Sequence, residues 1–160
     1  MDREFAIYLR LQAAIAAAFN FFIGGMIAAL IYHKADFVPT DTISIAIDLA
    51  ITCLLTFAIT TSFSRASLRG NRTGDVIAAK TPAARLLAWL SRCPVLMCAA
   101  LGLFTALILF ALTVSLFALL GVTALSFYLY IMLKSFFSAA LGAFAACMTI
   151  YAGMCRTEKT

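Results

Sequence analysis

The sequence predicts an all-α integral membrane protein, a four-helix bundle with both termini on the cytoplasmic side. Three observations carry that expectation. First, 64% of the 160 residues are hydrophobic and only 12% are charged, whereas a soluble domain has about 45–50% apolar and about 25% charged residues. A water-soluble core of this size cannot hide the excess, so the excess must face lipid. Second, four apolar runs, at 11–32, 43–63, 95–121 and 135–155, match the roughly 20 helical residues that cross a hydrocarbon core of about 30 Å. Third, the bases are unevenly placed. Of the 12 Lys and Arg, only Lys34 and Lys134 fall in the first and third connections, and the other ten lie at the termini and in the loop 64–94. The positive-inside rule assigns the richer side to the cytoplasm. The whole chain, 1–160, reads as one membrane domain, because no polar stretch is long enough for a second.

The first run begins after a start that mixes acids with bases, and it outlasts the roughly 7–15 residues of a signal-peptide core. Its small residues, Ala13 to Ala18, stand at its beginning, where cleavage does not occur; a retained span is expected. Gly24 with Ala28 and Gly25 with Ala29 form small-xxx-small pairs, which let two helices approach closely or leave room for a small cavity. Asn20 lies about 18 Å below the outer edge by helical rise and needs a partner in hydrocarbon.

The second run, "SIAIDLAITCLLTFAIT", carries Ser44, Asp48, Thr52, Thr56 and Thr60 at intervals of four. Each step of four slips about 40° around a helix, so Asp48, Thr52 and Thr56 stay within about 80° and share one face. Asp48 is the sole acid inside the four runs. An ionisable group there costs about 2.5–3.5 kcal/mol on insertion scales, and is a functional-site hypothesis by default. Its expected depth is about 8 Å, within reach of a basic group on the same side, and Lys134 is the preferred partner. Thr56, about 20 Å deep, matches the depth of Asn20. The plainer reading of these hydroxyls is bundle glue, bonding back to the i−4 carbonyl or across to a neighbour.

The loop 64–94 holds Arg65, Arg69, Arg72, Lys80, Arg85 and Arg92 against a lone Asp75. Bases spread this way beside a membrane suit anionic lipid headgroups and topology, and nucleic-acid binding is not expected. Residues Gly70 to Gly74 read as a turn. Thr81 before Pro82 reads as a helix N-cap, and "AARLLAWLSR" as a short interfacial helix with Trp89 at headgroup depth. The third run has no strong polar residue and is expected to face lipid or a second subunit. The segment from Val122 to Lys134 supports two readings. It is an aromatic belt at the outer interface (Phe127, Tyr128, Tyr130), or it is the first turns of a long fourth helix that draws Lys134 below the surface. The fourth run repeats the small-residue spacing at Ser138, Gly142 and Ala146.

Five cysteines form no CxxC and the single His completes no ligand cluster, so neither a disulfide, a metal site nor a cofactor is expected. There is no acid pair, Ser/His/Asp set or phosphate-cradling glycine loop, and an enzyme is not expected. The stretch from Phe19 to Thr52, with its Asn, its glycines at the end of the first span, Val38-Pro39 and Ser-Ile-Ala-x-Asp-x-x-x-Thr, resembles uncharacterised small four-span bacterial inner-membrane proteins loosely labelled permeases. That resemblance implies an inner-membrane bundle and supplies no substrate. Two functions are therefore expected to compete. One is a permease or channel-like carrier for a cation, proton or small solute, with Asp48, Asn20, Thr52, Thr56 and Lys134 on the pathway. The other is a structural or accessory subunit in which the same polar groups, with Gly24, Gly25, Ser138 and Gly142, fix helix packing. Four helices leave no wide path, so the carrier reading expects a homo-oligomer.

Overall fold

The computed structural model describes residues 3–34, 36–70, 77, 78 and 81–156, and these are overwhelmingly helical. In chain order the helices are α1 (Arg3–Tyr32), α2 (Thr42–Gly70), the short α3 (Pro82–Leu90), α4 (Pro94–Leu120) and α5 (Phe127–Met154). Four segments, Phe5–Tyr32, Thr42–Ala66, Pro94–Leu120 and Phe127–Met154, are long and apolar enough to cross a membrane. Their bounds run past the apolar runs. α1 starts eight residues before Leu11, α2 continues beyond Phe63, and α5 begins at Phe127 rather than Ser135. Apolar composition marks where lipid lies, not where backbone hydrogen bonding ends.

Two short strand pairs tie the ends of the bundle. β1 (Phe37–Pro39) runs antiparallel to β3 (Ala124–Ser126), placing Val38 opposite Leu125, both buried. Thr40 extends this ribbon, donating its backbone N–H to the Thr123 carbonyl at 3.2 Å and its hydroxyl to the Val122 carbonyl at 3.0 Å. Phe127 N–H then donates to the Asp36 carbonyl at 3.1 Å. The first and third connections are thus joined, and the end they occupy is the ribbon end. At the opposite end β2 (Ile77–Ala78) runs parallel to β4 (Cys155–Arg156), beside α3.

Three of the helix starts have a local cause. Asp41 caps α2, its Oδ2 accepting the Ser44 backbone N–H at 3.0 Å while its carbonyl accepts that of Ile45. That hydrogen bond holds the exposed Asp41 carboxyl below its ordinary value. A carboxyl lowered by folding adds stability above its ordinary value of 3.8, which is lost as pH falls through the lower folded value. Asp41→Asn, which keeps a cap acceptor but not the titration, is expected to flatten the fall in melting temperature below that pH; a pH profile identical to wild type would remove the assignment. Proline starts α3 and α4, where its missing N–H costs nothing. α4 ends in a Schellman turn. Gly121 takes φ 64°, its N–H bonds the Ala118 carbonyl, and Val122 N–H bonds that of Phe117.

α3 begins at Pro82, and Trp89 on it is exposed. The Arg65 guanidinium anchors it by donating to the Ser91 carbonyl. The turn expected at Gly70 to Gly74 falls, from residue 71 on, outside the described residues, as do Arg72, Asp75 and Lys80 of the basic loop.

The packing order does not follow the chain order. α5 is the central helix: α1 packs along its length, α2 packs on it as well, and α4 packs chiefly on α2. α1 and α2, though joined by a short connection, barely meet. Small residues explain the preference. Gly24 lies against Ser138, Gly25 against Ser135, and Gly142 against Ala16 and Asn20, so the α1 and α5 backbones close on each other. The core between α2, α4 and α5 is Cys53, Phe57, Ala106, Leu141 and Ala145. Only Met97, Gly102 and Ala106 of α4 are buried; its many other leucines, among them Leu107, Leu112 and Leu119, are exposed.

Candidate functional site

The polar residues of the spans converge where α1, α2 and α5 meet. Lys134 lies seven residues inside α5, about 10 Å along its axis. Of the two placements that the aromatic segment allowed, the structure therefore has the long helix, and Lys134 is 8% exposed. Its ammonium forms an ion pair with the Asp48 carboxylate and also donates to the Thr52 hydroxyl at 2.6 Å. Thr52 in turn donates to the Asp48 carbonyl at 2.6 Å, the i−4 back-bond open to a helical threonine. The Thr52 hydroxyl thereby accepts one hydrogen bond and donates one, and the ion pair carries no net charge. The Asp48 side chain keeps 25% of its surface. Tyr130 and Tyr32 complete the surround. Their rings meet edge to face with centroids 5.1 Å apart, and both line one cavity with the Asp48 side chain.

Two cavities share this pair. A groove of about 70 Å³ runs between α1 and α2 with α5 as its floor. Its walls are apolar, from Ile23, Ile27, Ile51, Leu55 and Ile59; its polar lining is Asn20, Asp48, Thr52, Thr56, Lys134 and Ser138. Toward the ribbon end a second pocket of about 260 Å³ opens between α2, α4 and α5, lined by Asp48, Lys134 and Tyr130 together with Val38 and Leu125 of the ribbon. Asp48 and Lys134 line both.

The groove closes toward the α3 end. There Phe19 and Phe63 pack with ring centroids 5.7 Å apart, and Asn20 Nδ2 donates to the Ala16 carbonyl at 2.8 Å and to Thr60 Oγ1 at 3.4 Å. The hydroxyl that Asn20 meets is thus Thr60, not Thr56. Cα–Cβ bonds lean toward a helix's own N-terminus, so in antiparallel α1 and α2 Asn20 leans to the α3 end while Thr56 leans to the ribbon end. The bond to Ala16 draws the amide further from Thr56. Thr56 is buried and lines the groove.

Ser138 stands out among the groove residues. It is 1% exposed, and its hydroxyl is the one buried side-chain polar atom among the described residues with no hydrogen-bond partner. Gly24 faces it, and Gly25 and Gly142 flank the same seam. Residue by residue, Asp48, Lys134, Thr52, Thr56, Ser138, Gly24 and Asn20 come together around one groove; Gly25 and Gly142 lie outside its lining and serve the α1–α5 contact. Sequence reasoning passed over Tyr130 as a neighbour of Asp48, although its place four residues before Lys134 puts both on one helical face.

No protein-family model matches the chain, and no curated protein or solved structure matches it either. The geometry therefore has to speak without relatives. Among the described residues Cys53, Cys93, Cys98 and Cys147 are free thiols, and no group of three or more His, Cys, Asp or Glu is placed to hold a metal. What the arrangement offers is a neutral charge pair, opened by any species that competes for Asp48 or Lys134, at the boundary between two cavities.

Proposed function

We propose that the chain is a small permease of the cell's inner membrane, with both termini in the cytoplasm, in which Asp48 receives a cation, a proton or a charged small solute. The observation that supports this reading is the shared position of Asp48 and Lys134 in both cavity walls. A pair closed in this way separates the pocket from the groove, and a species that binds Asp48 frees Lys134 to move. The Asn20–Thr60 and Phe19–Phe63 contacts provide a second closure at the other end. Two closures that open in turn are the minimum for carrying a solute without leaving an open hole. The narrow groove and the exposed apolar face of α4 fit a homo-oligomer, and the basic 64–94 loop fits anionic headgroups.

Vesicles containing the purified protein, a trapped pH-sensitive dye and an imposed proton or sodium gradient test the reading. Wild type is expected to dissipate the gradient, and Asp48→Asn to do so at least tenfold more slowly while eluting at the wild-type size. A variant as fast as wild type ends the carrier reading. A second reading, an accessory subunit, is favoured by the tie that Lys134 makes to α2 through both Asp48 and Thr52. It expects no flux from either protein and loss of assembly in Asp48→Asn.

A further inference from the structure

We propose that the ribbon-end pocket binds a small zwitterion with an apolar side group, of the class of the apolar amino acids, its ammonium on Asp48 and its carboxylate on Lys134. The inference rests on the permease reading and names the solute class for the same charge pair.

Size is the first constraint. At about 260 Å³ the pocket lies just below the roughly 300–1,000 Å³ of sites for drug-sized ligands, so its occupant is small. Wall chemistry is the second. Val38, Leu49, Leu116, Leu125 and Phe137 supply apolar surface, and the two opposite charges stand together in the same wall. An apolar cleft with a few convergent polar groups is the usual form of a small-molecule site. Such a wall suits a solute with one apolar end and one charged end.

Charge balance is the third constraint and decides the class. Lys134 is almost wholly buried, and removing one partner of a buried pair strands the other charge. A plain cation on Asp48 strands Lys134. A plain anion on Lys134 strands Asp48. A neutral apolar solute leaves the pair shut and gains nothing from it. A zwitterion inserted between them returns an opposite charge to each. The lysine's flexible four-carbon stem allows the gap to open, and Thr52 Oγ1, already 2.6 Å from Nζ, holds the ammonium as it does so. Tyr130 lines the same pocket as Asp48 and offers the incoming ammonium its ring face or hydroxyl oxygen.

Binding can be measured without transport. Wild type in lipid nanodiscs is titrated by calorimetry with L-leucine, L-valine and L-phenylalanine. It is then titrated with leucinamide, which lacks the carboxylate, and 4-methylpentanoate, which lacks the ammonium. At least one amino acid is expected to bind, with both singly charged analogues of leucine at least tenfold weaker than leucine or, if leucine is not the binder, undetected. Asp48→Asn and Thr113→Trp are each expected to weaken binding at least tenfold; Thr113 lines the pocket on α4, the helix that supplies neither charge, and the indole fills space there. Both variants are compared at the wild-type elution volume, and a variant that does not assemble is replaced by Leu116→Trp on the same wall. No binding of any of the three amino acids, analogues that bind as well as leucine, or undiminished binding in the pocket-filled variant would overturn the inference. Asp48-dependent vesicle flux alongside any of those results keeps the permease and removes the zwitterion; amino-acid binding without such flux keeps the site and removes the cation route.

Discussion

Lys134→Met is expected to destabilise the folded chain by about 3–5 kcal/mol, the cost of leaving one member of a buried ion pair uncompensated. Lys134 is buried, and both its bonds, to Asp48 and Thr52, go to α2, so the substitution cuts the polar link between α5 and α2 and leaves a carboxylate facing apolar walls. The double variant Asp48→Leu with Lys134→Met is expected to recover most of the loss, since apolar groups of similar volume often replace a buried pair without cost. Titration of the purified protein from mild detergent into sodium dodecyl sulfate, followed by circular dichroism, measures all three. Equal midpoints for wild type and Lys134→Met would show a pair bathed in water, and the account of the site would fall with it. The double variant also separates the two functional readings. A protein that regains stability but not flux has a pair that is there for movement and not for architecture.

Gly142→Ala is the second large effect, at about 1–3 kcal/mol for overpacking a close seam. A methyl group there would stand 2.5 Å from Asn20 Nδ2 and 2.8 Å from the Ala16 carbonyl. The second of these is backbone, so α1 itself has to shift, and the Asn20–Thr60 contact shifts with it. Gly24→Ala is expected to rank next, because its methyl would stand 2.5 Å from the Cβ of Ser138. Gly25→Ala meets mainly the hydroxyl of Ser135, which can rotate away, and Gly102→Ala meets the tip of Leu54 at 3.2 Å. The expected order of destabilisation is therefore 142, 24, 25, 102. The same detergent titration checks it, and a Gly102 variant as damaged as the Gly142 one would contradict the seam.

Much of this was legible beforehand. The four spans follow from composition, and the Asp48–Lys134 pair follows from scarcity: one acid in the runs, and few bases on its side to answer it. The cap at Asp41 is legible too, a short acceptor just ahead of an apolar run. Other features were hidden for physical reasons. Strands of three residues, such as Phe37–Pro39, show no periodicity and exist because a distant partner completes them. The Asn20–Thr60 match depends on side-chain lean, which equal depths ignore. The small-residue columns of the first and fourth spans were both visible, yet a single sequence does not say that they face each other. Chain connectivity favours α1 beside α2, and close backbone approach to α5 outweighs it.

That the first long helix finds its principal neighbour in the last has a bearing on how the protein is made. While a ribosome is still adding residues, α1 and α2 sit in the bilayer with almost nothing to hold on to in one another. Only when α5 emerges, with residues 33–126 intervening, does the first helix acquire a mate. Premature termination anywhere before Phe127 would thus leave the first helix without its mate, ready prey for membrane proteases.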